Sequence, residues 1–226
     1  IATPDSPLLL FTALFLFSYK RFLDKGSWTD TLFMGITMAG IMYSKYHGAL
    51  MLILIILSNL KLFRNLKFYI ALFLALILYI PHLAWQISND FPSIRYHLSE
   101  RASGFAFANV AEYIFNQLMV HNPFSLPLFL WMIFRSKAEN TFEKGLKYII
   151  SGFFIFFLAA SVRYRIQAQW TALITIPMLV LILNKAEFKP GVSRYLKRIS
   201  LIMIPFFFFA RCALMADFLP LSFLKD

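Results

Sequence analysis

Four polar clusters interrupt an otherwise apolar chain, and their side chains are of the kinds that hold phosphate. They are Thr3-Pro4-Asp5-Ser6-Pro7, Ser44-Lys45-Tyr46, a segment 90–101 carrying Asp90, Arg95, His97, Glu100 and Arg101, and Arg163-Tyr164-Arg165-Ile166-Gln167-Ala168-Gln169-Trp170. The set is rich in cations and poor in paired metal ligands. Lys and Arg groups facing one recess suit a phosphate or pyrophosphate, Arg as a bidentate fork and Lys as a point charge. Convergence of polar groups at one depth is what a binding site requires.

Each residue also has a plainer reading. Asp5 complements the dipole at the start of a helix. Lys45 reads as an unpaired cation at the tip of an intramembrane turn, able to snorkel towards the surface. Arg163 and Arg165 can anchor lipid headgroups, and Arg211 can pair with Asp217. Glu100 and Arg101 are adjacent, so on a helix they point apart. The histidines His47, His82, His97 and His121 are widely spaced and form no HExxH or i,i+4 pair, so they give no metal signature. There is no Walker loop, GxGxxG or GxSxG, and ATP hydrolysis, dinucleotide binding and serine hydrolase chemistry have no support.

The elements that must position these clusters follow from composition and charge. With 60% hydrophobic residues, 27 Phe and a mean hydropathy of +0.68, the chain is not an ordinary soluble domain. The net charge of +11 reflects loop placement rather than nucleic-acid binding. The basic residues gather in segments 20–28, 60–67, 135–147 and 185–198, which the positive-inside rule makes cytoplasmic. The exceptions are Lys45, Arg95, Arg101, Arg163, Arg165, Arg211 and Lys225. Cations away from the cytoplasmic face are costly and need a reason. The lone Cys212 excludes an internal disulfide framework.

These signals predict an all-α polytopic transmembrane helical bundle with about eight crossings, forming one transmembrane domain over residues 1–226. Ser6 is the expected N-cap of the first helix, with Pro7 at its first position. Residues 29–59 lie between two basic loops, so they must cross an even number of times. They therefore read as a short hairpin, about 29–43 and 47–59, turning at Ser44-Lys45-Tyr46-His47-Gly48. About 14 residues rise only some 21 Å, short of the hydrocarbon core, so the turn lies in a recess below the outer surface. Further spans follow near 68–85, 109–134 with a break at Asn122-Pro123, 147–162, 170–184 and 199–217. The chain opens on Ile1-Ala2-Thr3 without an initiator Met and reads as an internal fragment.

Thr3-Pro4-Asp5-Ser6-Pro7, Ser44-Lys45-Tyr46, Pro81-His82-Leu83-Ala84-Trp85-Gln86 with Asn89-Asp90-Phe91, and Arg165 to Trp170 occur in that order. The series resembles the bacterial members of glycosyltransferase family 39, the protein O-mannosyltransferase-like group of the GT-C superfamily. It is more distantly similar to the lipid A aminoarabinose transferase. The resemblance implies an inverting glycosyltransferase of the bacterial inner membrane, with its site on the external, periplasmic side. The implied donor is a polyprenyl-phosphate sugar; the acceptor is a lipid, glycan or protein; membrane lipids surround the chain and no nucleic acid is involved. Asp5 matches a supporting acidic position, Lys45 the hairpin lysine and Arg101 the arginine of the external segment.

The family's principal carboxylate lies in an earlier external loop, so the fragment is expected to lack the first spans and that loop and to be inactive alone. Tyr46, His97, Glu100, Arg163, Arg165 and Gln169 complete the expected substrate-binding set. No metal-binding residue is assigned, no cofactor is established, and a divalent metal is left open. In such a transfer the phosphate leaving group gains charge, which Lys45, Arg101 and Arg163 or Arg165 would stabilise, while an acceptor hydroxyl needs a carboxylate base. A transporter or flippase of lipid-linked sugars is the alternative, and it would more often show repeated halves, which this sequence lacks. A purely structural membrane subunit would show no convergence of its external polar residues.

Overall fold

The computed structural model describes residues 4–92, 95, 107–186 and 190–215. Every regular element among them is helical: α1 (Asp5–Asp24), α2 (Trp28–Ser44), α3 (His47–Ser58), a 3₁₀ turn (Leu60–Arg64), α4 (Leu66–Ser88), α5 (Phe107–Val120), α6 (Leu126–Arg135), α7 (Thr141–Ser161), a second 3₁₀ segment (Ala168–Ile174), α8 (Thr175–Ala186) and α9 (Pro190–Met215). The chain divides into two compact units, residues 1–181 and 182–226. Among the described residues, α1, α4 and α7 are long and apolar enough to cross a membrane, against about eight crossings expected from charge. Shorter apolar helices, including α3 and α6, account for much of the remaining hydrophobic chain.

In the first unit α2 packs on both α1 and α4, and α3 packs on α7. Small residues set the approach. A Cβ on Gly35 would lie 2.7 Å from the Ala71 carbonyl oxygen, and one on Gly40 would lie 2.3 Å from the Phe11 ring. Close backbone approach by small residues is how apolar helices associate where lipid removes the hydrophobic drive. Ser18 and Thr37, both buried, face each other with hydroxyls 3.2 Å apart between α1 and α2. Phe15, Tyr19 and Phe142 continue the core towards α7.

The first helix starts differently from the sequence expectation. Pro4 (φ −58°) is its N-cap, no side chain caps it, and Asp5 stands in its first turn. Pro4 has no N–H to satisfy and a pre-set φ, so it opens the helix without help from Ser6. The hairpin forms as anticipated: α2 ends at Ser44, Lys45 is extended (φ −168°, ψ 143°), and α3 begins at His47. Gly48 permits so tight a turn, because a Cβ there would meet Ile41 Cγ2 at 2.2 Å and its carbonyl oxygen at 2.9 Å.

The span over 109–134 is broken at the predicted place. Asn122 takes φ 64°, its side-chain oxygen accepts from the Phe124 amide at 2.9 Å, and Pro123 has no N–H with which to continue α5. Basic side chains organise one end of the unit. Arg21 Nε lies 2.6 Å from Asp30, Lys67 Nζ donates to the Gly26 carbonyl, and Lys147 Nζ donates to the Ile133 carbonyl at 2.9 Å, so cations satisfy carbonyls near helix C-termini. Ser27 caps α2 and also bonds the Asp30 carboxyl. That hydroxyl, followed by the Arg21 guanidinium, holds Asp30 below its usual range.

Candidate functional site

At the opposite end of the first unit, several sequence-predicted residues meet. Asp5 comes from the first turn of α1 and Lys45 from the turn after α2, and Lys45 Nζ donates to Asp5 Oδ1 at 2.7 Å. Their side chains are 21% and 19% exposed, so the pair is neither fully desolvated nor free in solvent. The sequence reading leaves Lys45 unpaired, and this contact corrects it. The reason is topological: α1 and α2 run antiparallel, which puts the first turn of one beside the last turn of the other.

Tyr46 turns to α4. Its hydroxyl lies 3.1 Å from His82 Nε2 and accepts from the Gln86 side-chain amide. His82 packs among Tyr43, Tyr79 and Trp85. This cluster forms where Pro81 interrupts the hydrogen bonding of α4, since proline lacks an N–H and crowds the preceding turn. There the Tyr43 hydroxyl donates to the Leu78 carbonyl at 2.9 Å. Past the end of α4, Asp90 and Phe91 take φ 56° and 52°, a conformation a bulky residue rarely adopts.

The 163–170 segment reaches the same region through Trp170, whose ring centroid lies 4.9 Å from that of His47. His47 follows the Lys45-Tyr46 turn directly, so the aromatic pair joins the second cluster to the fourth. Gln167 shapes the segment by accepting from Trp170 Nε1 at 2.9 Å and from Gln169 at 3.0 Å. Arg165 Nε donates to both carboxylate oxygens of Glu112 on α5, at 2.9 and 3.0 Å. Glu112, Asn116, Arg165, Gln167 and Gln169 line a cleft of about 570 Å³. Arg163 begins the segment, its amide bonded to the Ala160 carbonyl at 3.1 Å.

The structure thus brings together Asp5 with Lys45, Tyr46 with His82 and Gln86, and Arg165 with Glu112. Sequence reasoning named Asp5, Lys45, Tyr46, Arg165 and Gln169, and missed Glu112 and the support from Gln86. Glu112 was hidden within an apolar span, 53 residues from its partner. His97, Glu100 and Arg101 lie outside the described residues, as does Asp217, the expected partner of Arg211. Among the described residues no three His, Cys, Asp or Glu side chains gather as a metal site would require.

No curated protein and no solved structure matches the chain. Residues 1–85 match the family model described as dolichyl-phosphate-mannose-protein mannosyltransferase. The matched part holds the Asp5–Lys45 pair, Tyr46 and the Pro81 aromatic cluster, whereas Glu112 and the 163–170 segment lie beyond it. Over those 85 of its 226 residues the chain is similar to this mannosyltransferase family.

Proposed function

We propose that this chain takes part in transferring a sugar from a polyprenyl-phosphate donor to an acceptor on the external face of a bacterial inner membrane. The supporting observation is the Asp5–Lys45 pair, placed where α1, the hairpin turn, the end of α4 and the 163–170 segment converge. A donor phosphate reaching this end would meet Lys45 as its point charge. Asp5 positions the lysine through their 2.7 Å contact. As the glycosidic bond breaks with inversion at the anomeric carbon, negative charge grows on the phosphate, and a preorganised cation stabilises that state more than the ground state.

Tyr46, held by His82 and Gln86, offers a hydroxyl beside the same turn. Arg165 and Gln169 line the neighbouring cleft, where Glu112 pairs with Arg165, and Arg163 opens the same segment. His97, Glu100 and Arg101 are assigned to the donor and acceptor groups from the sequence. The acceptor is a hydroxyl of a lipid, glycan or protein.

Transfer from a labelled polyprenyl-phosphate sugar, measured in membranes with the full-length enzyme as wild type and as Lys45→Ala, tests this reading. A loss of at least about tenfold in turnover is expected, one charge-assisted contact being worth roughly 1.5–3 kcal/mol. Unchanged kinetics at saturating and limiting donor would remove the phosphate-binding role.

One observation favours the transporter alternative. Gln117 and His121 are both 4% exposed, Gln117 Oε1 and His121 Nε2 have no hydrogen-bond partner among the described residues, and both lie beside the helix break at Asn122. Polar groups at broken helices within the membrane are typical of transport sites. Movement of a fluorescent lipid-linked sugar across proteoliposomes, without transfer, would establish that alternative.

A further inference from the structure

Among the described residues of the second compact unit the charged side chains are all cations. Arg194, Lys197 and Arg198 on α9 stand at i, i+3 and i+4, so they share one side of the helix. All three are exposed, and the described part of this unit contains no acidic residue. Like charges at these spacings repel one another, and a bound anion would relieve that repulsion.

Lys197 also lines a groove of about 630 Å³, with Ser193 and Ser200 beside it and Leu183, Leu201 and Ile204 beyond. The groove is therefore divided along its length. Its first part offers a cation and two hydroxyl side chains, and its second part is apolar. From Ser193 to Pro205 the helix rises about 18 Å at 1.5 Å per residue, close to one leaflet of a hydrocarbon core about 30 Å thick. Pro205 ends the groove, where it removes the helical bond to the Leu201 carbonyl.

We infer that this groove holds one anionic glycerophospholipid of the inner leaflet, its phosphate on Lys197 with Arg194 and Arg198 close by, and one acyl chain along Leu201 and Ile204. A soluble anion would use the cations and leave the apolar part without a role. A neutral lipid would fill the apolar part and leave the cations unanswered. Only an amphiphile with an anionic head and a chain about one leaflet long meets both ends. Basic pockets at the cytoplasmic ends of transmembrane helices are suited to such headgroups; here the span is the one expected from the sequence near 199–217, with the 185–198 segment cytoplasmic by the positive-inside rule.

The test is native mass spectrometry of the full chain, purified from membranes and supplied with phosphatidylglycerol and phosphatidylcholine in equal amounts. Wild type is expected to retain phosphatidylglycerol preferentially. Lys197→Gln should lower that preference roughly fivefold, the effect of removing one cation near a membrane surface. Ile204→Trp, which fills the groove without changing charge, should lower retention as well, with circular dichroism confirming that both variants stay helical. Equal retention of the two lipids by wild type would overturn the inference. So would loss in Lys197→Gln with full retention in Ile204→Trp, which would mark a surface field and not a groove. Displacement of phosphatidylglycerol by stoichiometric polyprenyl phosphate would likewise overturn it, assigning the groove to the donor lipid.

Discussion

Asp5 lies in the first turn of α1 and Lys45 at the C-terminal cap of α2, so each charge complements a helix dipole as well as its partner. Lys45→Ala therefore removes more than a ligand contact, because it leaves Asp5 partly buried without its cation. Breaking a fully buried pair costs 3–5 kcal/mol, while exposed pairs contribute up to about 1 kcal/mol. With both side chains about one-fifth exposed, a coupling of about 1–2 kcal/mol is expected from a double-mutant cycle of Asp5→Asn and Lys45→Met, read by thermal unfolding in detergent. A coupling near zero would mean that the pair does not form in the membrane protein.

Asp30 supplies a pH test at the other end of the unit. Its carboxyl is held below the usual carboxylate range in the folded chain, first by the Ser27 hydroxyl and then by Arg21. A lowered folded value means that the stabilisation is fully present above the unfolded value and is lost as pH falls through the folded one. Acid destabilisation below about pH 4 should be weaker in Asp30→Asn than in wild type, measured as the change in Tm between pH 5 and pH 3. The chemistry of Asp5, Lys45 and Arg165 is legible in the sequence because charges away from the basic loops stand out. Their pairing is not, since Glu112 and Asp5 are brought to their partners only by antiparallel packing.

The hairpin shows how far charge alone can define an element. Basic segments on both sides require an even number of crossings, and α2 and α3 end within a residue or two of the expected boundaries. The break after α5 is equally legible, because Asn122-Pro123 combines a left-handed residue with one that cannot donate. The 3₁₀ segment Ala168–Ile174 left no comparable signal. Its geometry comes from packing against α1, α5 and α7, and seven residues is long for that conformation. Close approach between helices was also unread, since a glycine in an apolar run does not reveal its neighbour.

Gly35→Ala would place a Cβ 2.7 Å from a backbone oxygen of α4, which cannot swing aside as a side-chain tip can. A loss of about 1–3 kcal/mol is expected from such overpacking. Gly191→Ala, with nothing within 4 Å of the added Cβ, should be neutral or slightly stabilising, because alanine favours helix. Equal melting temperatures for the two variants would contradict the α2–α4 contact.

Across the first unit the helices sort its charges to two ends with different uses. At one end cations satisfy carbonyls and cap helices, as Lys67 does for Gly26 and Lys147 for Ile133. At the other, Lys45 and Arg165 pair with carboxylates delivered by α1 and α5. The basic residues from which the sequence assigns orientation thus also secure loops in the fold, so their separation from Lys45 and Arg165 was readable before any contact was known. The number of crossings was less so, because helices as short as α3 carry an apolar signal without the length of a span.

Labelling with a membrane-impermeant maleimide tests this arrangement directly. The exposed Cys212 is first replaced by Ser, and single cysteines are then introduced at Lys61, Lys144 and Tyr164. Tyr164→Cys should react in intact cells, since it lies on the end that carries the Asp5–Lys45 pair. Lys61→Cys and Lys144→Cys should react only after permeabilisation. Reaction of Lys61→Cys from outside would reverse the hairpin, put Lys45 on the cytoplasmic side, and remove the external site together with the sugar-transfer reading built on it.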